Sequence, residues 1–449
     1  MNADLSSIFK AYDIRGLSPS ELNPPLARRI GAAFVDYLKA KNIAIGRDMR
    51  DTSPGLAAAF IEGARSRGAN VVDIGMVSTD TLYFAVASQA LDGGAMLTAS
   101  HNPKQYNGIK LVRQGAVALS GDAGIKEVRE GALGMEPEPF TGAHGALSQR
   151  DVTDAFVAHC LSFIDVARLR PLKLVLDAGN GMGGPAAERV FAGLPFERTD
   201  LFFTPDGNFP NHAADPLVEE NRRDVIAMVR EKGADLGIAW DGDADRCFFI
   251  DDTGEFIPGD FVTALLGTMF AKREPGATIV YDVRASRAVA DSVKAAGGVP
   301  VMHRVGHAFM KVKMRELNAV YGGEVSAHYY FRDNWFADNG MIPALLILEL
   351  VCSSGKRLSE LLAPYRSKYF ISGEINSKVA DVPRALGLIA ERYKDGRVTK
   401  LDGVSVDYDS WHFNVRGSNT EPLLRLNLEA YTQAEMEQRR DEVLELIRS

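Results

Sequence analysis

Cysteine is scarce in this sequence, with only Cys160, Cys247 and Cys352 among 449 residues. These three are far apart and form no Cys-x-x-Cys pair, which excludes a thiolate zinc site and fits a reducing cytosol. The first residues lack the basic and apolar regions of a signal peptide. The longest apolar run, residues 341–352, is interrupted by Glu349 and is too short to span a bilayer. We therefore expect a soluble, cytoplasmic protein with no membrane partner.

An excess of positive charge is also absent. The formal net charge is −8, which argues against a general nucleic-acid binder, because such a protein needs a basic face for phosphate contacts. No GxxxxGK[ST] phosphate-binding loop occurs anywhere in the chain. The 46% hydrophobic and 24% charged residues are typical of a soluble globular protein. The chain is too long for a single core, so we expect several domains.

What the sequence does contain is a repeated order of elements. Each repeat has a strand, an acidic or charged turn, a helix, a second strand and then a strand that leads into a polar loop. The repeats begin with strands at 43–45, 172–176 and 278–282, and their last strands lead into Ser100, Asp241 and Glu324. Because open α/β sheets bind ligands at the carboxyl ends of their strands, this pattern predicts three related α/β domains with mixed sheets and functional loops at equivalent ends.

The last part of the chain does not repeat this order. Strands at 404–408, 411–415 and 423–428 and a final amphipathic helix at 433–447 indicate a smaller C-terminal α+β domain. We expect four domains, at residues 1–146, 147–252, 253–368 and 369–449.

The first polar loop contains a serine at the end of a buried strand. An apolar run ends at Leu97, and the Asn102-Pro103 pair then takes the chain out of regular structure. Ser100 therefore lies where α/β sheets place their ligands, with His101 beside it and Lys110 ten residues on. An ordinary polar turn has the same composition, so this stretch alone leaves both interpretations open.

The loop at 241–246, Asp-Gly-Asp-Ala-Asp-Arg, holds three carboxylates at alternate positions between two apolar strands. Close carboxylates repel each other by several kcal/mol per pair at an effective dielectric of about 20, and a bound cation relieves that repulsion. Carboxylate oxygens suit Mg²⁺ or Ca²⁺. An EF-hand is excluded, because Arg246 and Asp252 stand where glycine and glutamate are required. A solvated turn remains the alternative.

A glycine pattern offers a different function. Gly179, Gly181 and Gly184 match GxGxxG after a strand, and Asp200 follows about twenty residues later, as in a dinucleotide-binding fold. The pattern would make the chain a dehydrogenase candidate that binds NAD. The match is weak, since glycines recur at strand–helix turns for backbone reasons, and it leaves the three aspartates and the serine unexplained.

Two further loops have the composition of binding sites. Glu324, Ser326 and His328 alternate along residues 323–328, and on an extended loop they would point to one side and suit hydrogen bonds to vicinal sugar hydroxyls. A capped turn explains the same residues. Arg416, Ser418, Asn419 and Thr420 form a plausible phosphate cradle between two strands.

These loops in this order resemble the α-D-phosphohexomutase family, and specifically its phosphomannomutase/phosphoglucomutase branch. The stretches that carry the resemblance are KAYDIRG at 10–16, TASHNP at 98–103, DGDADR at 241–246, GEVSAH at 323–328 and RGSNTEP at 416–422. The resemblance covers essentially the whole chain. It implies four domains around a central active-site cleft, with a C-terminal domain that closes over the substrate.

The resemblance also implies an activity. It is the interconversion of hexose 6-phosphate and hexose 1-phosphate, of mannose or glucose, through a phosphoserine and a hexose 1,6-bisphosphate, which also serves as activator. We expect small sugar phosphates as partners and a monomer or homodimer. A phosphatase or a non-catalytic sugar-phosphate sensor would use parts of the same site.

The resemblance assigns residues to four tasks. Ser100 would carry the phosphoryl group and, with Asp241, Asp243 and Asp245, bind Mg²⁺. The residues implied in catalysis are Ser100, His101, Lys110, Arg246 and His307. Those implied in substrate binding are Tyr12, Arg15, Arg284, Glu324, Ser326, His328, Arg416, Ser418, Asn419 and Thr420. Two residues depart from the family pattern. Arg284 stands where many relatives have lysine, which keeps the charge but alters its geometry. Val325 stands where this branch commonly has methionine, which leaves the sugar preference open.

Overall fold

A mixed sheet of seven strands occupies the N-terminal part of the chain. The computed structural model describes residues 5–121, 123–134, 143–417 and 423–448. In the first of these regions the elements are β1 (Ile14–Leu17), α1 (Pro24–Leu38), β2 (Asn42–Arg47), α2 (Ser53–Arg65), β3 (Asn70–Met76), α3 (Thr79–Ser88), β4 (Gly93–Leu97), β5 (Tyr106–Arg113), β6 (Val117–Ala118), α4 (Ile125–Gly134) and β7 (Leu147–Gln149). The strand order is β1-β5-β4-β2-β3-β7, and β6 pairs with β5.

Local sequence explains how these elements begin and end. Asn23 caps α1, because its side chain accepts a hydrogen bond from the Leu26 amide at 3.1 Å, and two prolines follow it in the first turn. The helix ends at Lys39, whose φ is 52°. Residues 10–16 end in strand β1, which runs antiparallel to β5.

A second sheet of five strands follows. Its elements are α5 (Thr153–Leu161), β8 (Leu172–Asp177), α6 (Gly183–Val190), β9 (Phe196–Leu201), α7 (Arg223–Lys232), β10 (Leu236–Trp240), β11 (Cys247–Ile250) and β12 (Phe256–Ile257). The order is β12-β11-β10-β8-β9, with β8 parallel to β9 and β10, and with β11 antiparallel to β10. Every residue of β10 and β11 is buried, which matches their continuous apolar sequence.

The third repeat consists of α8 (Gly259–Arg273), β13 (Thr278–Asp282), α9 (Arg287–Ala295), β14 (Val299–His303), α10 (His307–Leu317) and β15 (Tyr321–Gly323). Here β13 lies between β14 and β15 and is parallel to both. The same arrangement occurs in the other two repeats, where β2 lies between β3 and β4 and β8 lies between β9 and β10. The prediction of three related α/β domains with mixed sheets is therefore confirmed.

The remaining elements include the smaller C-terminal domain. They are β16 (Tyr329–Phe331), β17 (Ala337–Asp338), α11 (Met341–Ser354), α12 (Leu358–Arg366), β18 (Phe370–Ile371), β19 (Ile375–Lys378), α13 (Val382–Arg392), β20 (Arg397–Thr399), β21 (Val404–Asp407), β22 (Trp411–Gly417), β23 (Leu423–Ala430) and α14 (Gln433–Arg448). The sheet order is β18-β23-β22-β21-β20, and β19 also pairs with β23. Trp411 and Phe413 of β22 and Val443 of α14 share one core, so the predicted α+β domain is confirmed.

The chain divides into two compact units. The first contains Met1–Ile257 and His328–Leu358, and the second contains Pro258–Ala327 and Ser359–Ser449. Among the residues that the structure describes, no helix is long and apolar enough to cross a membrane.

Candidate active site

Ser100 lies in a strained loop directly after β4, in the first unit. Its φ of 52° is in the left-handed region, which a residue with a Cβ adopts only when its surroundings hold it there. The side chain is buried, and its Oγ donates a hydrogen bond to Oδ2 of Asp241 at 2.7 Å. The Oγ also lies 3.2 Å from Nδ1 of His101. The loop therefore presents the serine hydroxyl to the first aspartate of the acidic loop.

Arg50 holds this loop in place. The guanidinium donates to four backbone carbonyl groups, those of Ser100 at 2.8 Å, Asn102 at 2.6 Å, Pro103 at 2.9 Å and Tyr106 at 3.0 Å. It also pairs with Asp48, and both side chains are only 1% exposed or less. Sequence reasoning missed both residues. The available signal was the run of charges that follows strand β2 (Asn42–Arg47), since charged residues are rarely buried without a partner.

The three-aspartate loop connects β10 to β11 and packs directly against the serine loop. A Cβ at position 242 would lie 2.3 Å from the carbonyl oxygen of Ser100, so only glycine allows the two loops to approach this closely. Asp241, Asp243 and Asp245 are each at most 1% exposed. One carboxylate oxygen of each lies within 4.8 Å of the others. The fold thus buries three acidic groups beside the serine.

Lys110 and Thr79 contact these acidic groups. The Lys110 ammonium lies 2.6 Å from Oδ2 of Asp243 and 2.5 Å from Oδ2 of Asp245. Thr79, at the start of α3, donates its hydroxyl to Oδ2 of Asp243 at 2.6 Å. Its amide donates to the backbone carbonyl of the same aspartate at 3.0 Å. Thr79 is a third residue that sequence reasoning missed.

The electrostatics of this loop are uneven. Burial would raise the pKa of Asp243, but Lys110 and Thr79 hold it well below its ordinary value. Burial raises the pKa of Asp245 well above the usual range, and the neighbouring Asp243 raises it further. Burial likewise raises the pKa of Asp241, although Arg246 opposes this. The Lys110 ammonium and the Arg246 guanidinium therefore do not fully compensate three buried carboxylates.

The loop fits a divalent cation. Oδ1 of Asp243 and Oδ1 of Asp245 are buried and accept no hydrogen bond from the described part of the chain. Buried carboxylate oxygens without donors are costly, and hard oxygen ligands in this number suit Mg²⁺. Asp241, Asp243 and Asp245 would hold the ion, with Ser100 next to them.

Arg246 and His328 flank the acidic loop. Arg246 Nε donates to Oδ2 of Asp241 at 2.9 Å, and its NH1 lies 3.6 Å from Asp215. These partners raise the pKa of Arg246 above its ordinary value, although burial alone would lower it. His328 forms a backbone bridge with Arg246, and its Nε2 lies 3.6 Å from Oδ1 of Asp245. His328 had been predicted together with the sugar-binding residues Glu324 and Ser326. In the structure it lies beside the third aspartate, Asp245.

Residues from the N-terminal segment reach the same serine loop. Arg15, on β1, donates to Oδ1 of Asn102 at 2.6 Å and also pairs with Asp13. Tyr12 is half-buried just before that strand. Burial, together with Arg246 and Arg15, lowers the pKa of His101 well below its ordinary value, which favours a neutral imidazole next to Ser100.

Glu324 and Ser326 of the predicted sugar-binding loop lie in the second unit, whereas His328 belongs to the first. Glu324 directly follows β15, and its carboxylate accepts a hydrogen bond from the Gly306 amide at 2.9 Å, next to His307 at the start of α10. Of the two conformations considered for 323–328, an extended loop and a turn, the structure has the turn. Ala327 has φ 67°, and its amide donates to the Glu324 carbonyl at 3.0 Å, so the chain turns at Ser326.

Three arginines of the second unit share one carboxylate. Arg284 donates to Oε2 of Glu374 at 3.3 Å, and Arg425 donates to Oε1 at 3.0 Å. NH2 of Arg416 lies 3.8 Å from the same carboxylate. Arg284 is also held by Asp282, through Nε at 3.0 Å and NH2 at 2.8 Å. Arg284 and Arg416 had been predicted as substrate-binding residues, whereas Glu374 and Arg425 had not.

The predicted cradle residues Ser418, Asn419 and Thr420 lie outside the described residues.

The glycine pattern at 179–184 has a packing explanation. A Cβ at Gly184 would lie 2.2 Å from the Phe203 carbonyl oxygen, and one at Gly181 would lie 2.7 Å from the Gly242 carbonyl oxygen. Asp200 forms an ion pair with Arg198 on the same strand. Close backbone approach therefore accounts for these glycines.

Comparison with known proteins defines the class. The four phosphoglucomutase/phosphomannomutase domain families match in order: domain I at residues 6–133, domain II at 154–254, domain III at 258–369 and the C-terminal domain at 374–446. A phosphomannomutase of Salmonella montevideo is 45% identical over 98% of this chain and 99% of its own length. Phosphomannomutase of Escherichia coli K12 is 46% identical over 94% of each chain.

A solved structure agrees with these relatives. A phosphoglucomutase/phosphomannomutase family protein from Burkholderia thailandensis superposes with a TM-score of 0.89 at 35% identity, covering 98% of this chain and 97% of its own. Fold, site and relatives together define a phosphohexomutase-type phosphotransferase. The chain belongs to the phosphoglucomutase/phosphomannomutase family, and the family predicted from the sequence motifs is confirmed.

Proposed function

We propose that the protein interconverts hexose 6-phosphate and hexose 1-phosphate, with mannose or glucose as the sugar, through a phosphoserine at Ser100. The observation that carries this proposal is the contact between the Ser100 hydroxyl and Asp241, at 2.7 Å, beside three buried carboxylates. A serine held in this way can carry a phosphoryl group whose charge of roughly −2 requires nearby compensation.

The proposed reaction has two phosphoryl transfers. In the first, the bond between the Ser100 oxygen and phosphorus breaks, and a bond forms between phosphorus and the free hydroxyl oxygen of the hexose phosphate. The proton of that hydroxyl passes to His307, or to Lys110 once Lys110 has given up the proton that its ammonium group carries between Asp243 and Asp245. The resulting hexose 1,6-bisphosphate turns end for end, and its other phosphoryl group passes to the Ser100 oxygen. The sugar oxygen that it leaves takes back the proton released in the first transfer. The net reaction moves the phosphate between carbons 1 and 6.

Each group of residues has a defined task in this proposal. Asp241, Asp243 and Asp245 hold Mg²⁺, which when bound offsets the crowded anions and polarises the phosphorus for attack. Arg246 and His101 orient the groups around the serine, and Tyr12 and Arg15 contribute to substrate binding. Glu324, Ser326 and His328 bind the sugar hydroxyls.

The phosphate that does not react is bound elsewhere, by Arg284 and Arg416 together with Ser418, Asn419 and Thr420. Because the bisphosphate reverses its orientation, this cradle must accept the phosphate at either end of the sugar. We propose that it grips phosphate rather than one face of the hexose, and that four domains at 1–146, 147–252, 253–368 and 369–449 supply these groups.

Coupled assays with mannose 1-phosphate and glucose 1-phosphate, run side by side with added hexose 1,6-bisphosphate, test the proposal. We expect turnover of at least one sugar, loss of turnover on chelation and its return with Mg²⁺. Ser100→Ala should abolish turnover, whereas Ser353→Ala, at an exposed serine of α11, should not. Full turnover by the Ser100→Ala protein would overturn the proposal.

A further inference from the structure

Glu374 has an unusual position among the three arginines of the second unit. It lies in the short link between β18 and β19. Its carboxylate is the shared partner of Arg284, Arg416 and Arg425, at distances of 3.3, 3.8 and 3.0 Å. Two of these arginines belong to the phosphate-binding set proposed above. The Glu374 carboxylate therefore pairs with the same guanidinium groups that are proposed to bind the phosphate.

Two guanidinium donors of this cluster have no acceptor among the described residues. The Nε groups of Arg416 and Arg425 are buried and donate no hydrogen bond to any residue in the described ranges. Arg416 itself is 6% exposed. Burial and the nearby Arg284 lower the pKa of Arg416, and Glu374 only partly opposes this. The cluster thus has the donors for a larger anion than one carboxylate.

Glu374 is also the acidic group of this cluster that can most easily withdraw. Its side chain is 23% exposed, whereas those of Asp282 and Glu324 are 1% exposed or less. Asp282 accepts hydrogen bonds from the Arg284 side chain and from the backbone amides of Arg284 and Val325. Glu374 accepts hydrogen bonds only from arginine side chains among the described residues.

We propose that Glu374 is an internal counter-ion that keeps the three arginines aligned when no phosphate is bound and competes with the substrate phosphate for them. Glu374 would thus have a positioning role, which rests on the function proposed above. With Glu374 present, Arg284, Arg416 and Arg425 are balanced by Asp282, Glu324 and Glu374. An arriving phosphate must displace the Glu374 carboxylate, and the returning carboxylate promotes phosphate release. Release matters because the bisphosphate has to leave the arginines once in every cycle.

Calorimetric titration of mannose 1-phosphate and glucose 1-phosphate tests the competition without turnover. Both titrations use Ser100→Ala protein, with and without Glu374→Gln. We expect Glu374→Gln to tighten the dissociation constant by about 10-fold, because a like charge is removed from the phosphate site. In protein with Ser100 intact, both KM and kcat should fall, so that kcat/KM changes little.

Two variants serve as controls. Glu391→Gln removes an exposed carboxylate of α13 in the same unit and should leave the dissociation constant unchanged. Glu374→Asp keeps the charge on a shorter side chain and should bind sugar phosphate more weakly than Glu374→Gln. This variant distinguishes competition from a loss of packing.

Unchanged or weaker binding by Glu374→Gln would overturn the inference, because Glu374 would then only support the arginines. Failure of the Ser100→Ala protein to bind either sugar phosphate would instead overturn the proposed function, and the inference with it. Binding by Ser100→Ala without tightening by Glu374→Gln would overturn the inference alone.

Discussion

The two units of the molecule contain opposite arrangements of charge. In the first unit Lys110 lies among three aspartates, and in the second unit Glu374 lies among three arginines. In the first unit, Lys110 is nearly buried and lies 2.5–2.6 Å from two carboxylates. In the second, Glu374 is 23% exposed, and its arginines lie 3.0–3.8 Å away. The tight arrangement suits a site that keeps one fixed geometry for the reacting phosphoryl group. The looser arrangement suits a site that must bind and release a phosphate in every cycle.

The largest effect should come from breaking the acidic arrangement. We expect Asp243→Asn to lower kcat by about 1,000-fold, which corresponds to ~4 kcal/mol, because a metal ligand loses its charge. The fold should persist, since repulsion within the loop falls. Calorimetric titration with Mg²⁺ should show weakened binding. Asp224→Asn, at an exposed position on α7, is the matched control. Full activity of Asp243→Asn after exhaustive chelation would contradict the assignment of this loop.

The rigidity of the acidic side can be tested through Arg50. Arg50→Met removes a donor to four carbonyl groups of the serine loop and leaves Asp48 buried without its ion-pair partner. Breaking such a pair costs about 3–5 kcal/mol. We expect the thermal midpoint to fall by roughly 10 °C and kcat by about 100-fold, because the serine loses its position.

Arg47→Met is the control for this change, since Arg47 forms a half-exposed pair with Asp73 and should matter far less. A normal kcat in the Arg50→Met protein would show that the serine loop keeps its conformation without this guanidinium.

On the basic side, Arg416→Ala removes one of the three arginines. Charge-assisted hydrogen bonds contribute roughly 1.5–3 kcal/mol each, so kcat/KM should fall by about 10- to 150-fold. The loss should be similar for 1-phosphate and 6-phosphate substrates, because each places one phosphate in the same cradle. Phosphorylation of Ser100 should survive. A loss confined to one substrate would require a second cradle.

The smallest expected effect on activity comes from Asp80, a buried carboxylate that accepts hydrogen bonds from neutral groups and bears on stability instead. Asp80 accepts hydrogen bonds from Ser78 and from the Gly340 amide, and burial raises its pKa to about 7. The folded protein therefore favours the protonated form, so Asp80 contributes stability that is fully present below about pH 4 and is lost as the pH rises through 7. The loss is at most about 4 kcal/mol.

Asp80→Asn stays neutral at every pH. Its thermal midpoint relative to wild type should therefore rise by several degrees between pH 5 and pH 8.5. A midpoint difference that is independent of pH would show that Asp80 is ionised in the folded protein throughout this range.

The parts of the site that could be predicted from sequence are those formed by a few consecutive residues. Ser100 follows an apolar strand and precedes Asn102-Pro103, and the three aspartates alternate within one hexapeptide. Both loops follow buried strands, as expected. The order of elements also predicted the three repeats, because a parallel strand, helix and strand succession permits few topologies.

The rest depends on partners that are distant in sequence. From the sequence alone, Arg50 looks like one charged residue of a surface turn. Its role becomes clear only from the backbone carbonyl groups that it binds, 50–56 residues away. Glu374 is likewise defined by arginines up to 90 residues away. The sequence left both an extended loop and a turn open at 323–328, because the left-handed conformation of Ala327 has no local signal, such as a glycine or asparagine.

The central claim is that Ser100 alternates between free and phosphorylated forms, and one measurement tests it directly. Protein first freed of phosphate is incubated with glucose 1,6-bisphosphate and Mg²⁺, and its intact mass and peptides are then measured. We expect the added mass of one phosphoryl group on the peptide that contains Ser100, and its loss when glucose 1-phosphate is added in excess. Full turnover with no phosphoserine at any stage would contradict it.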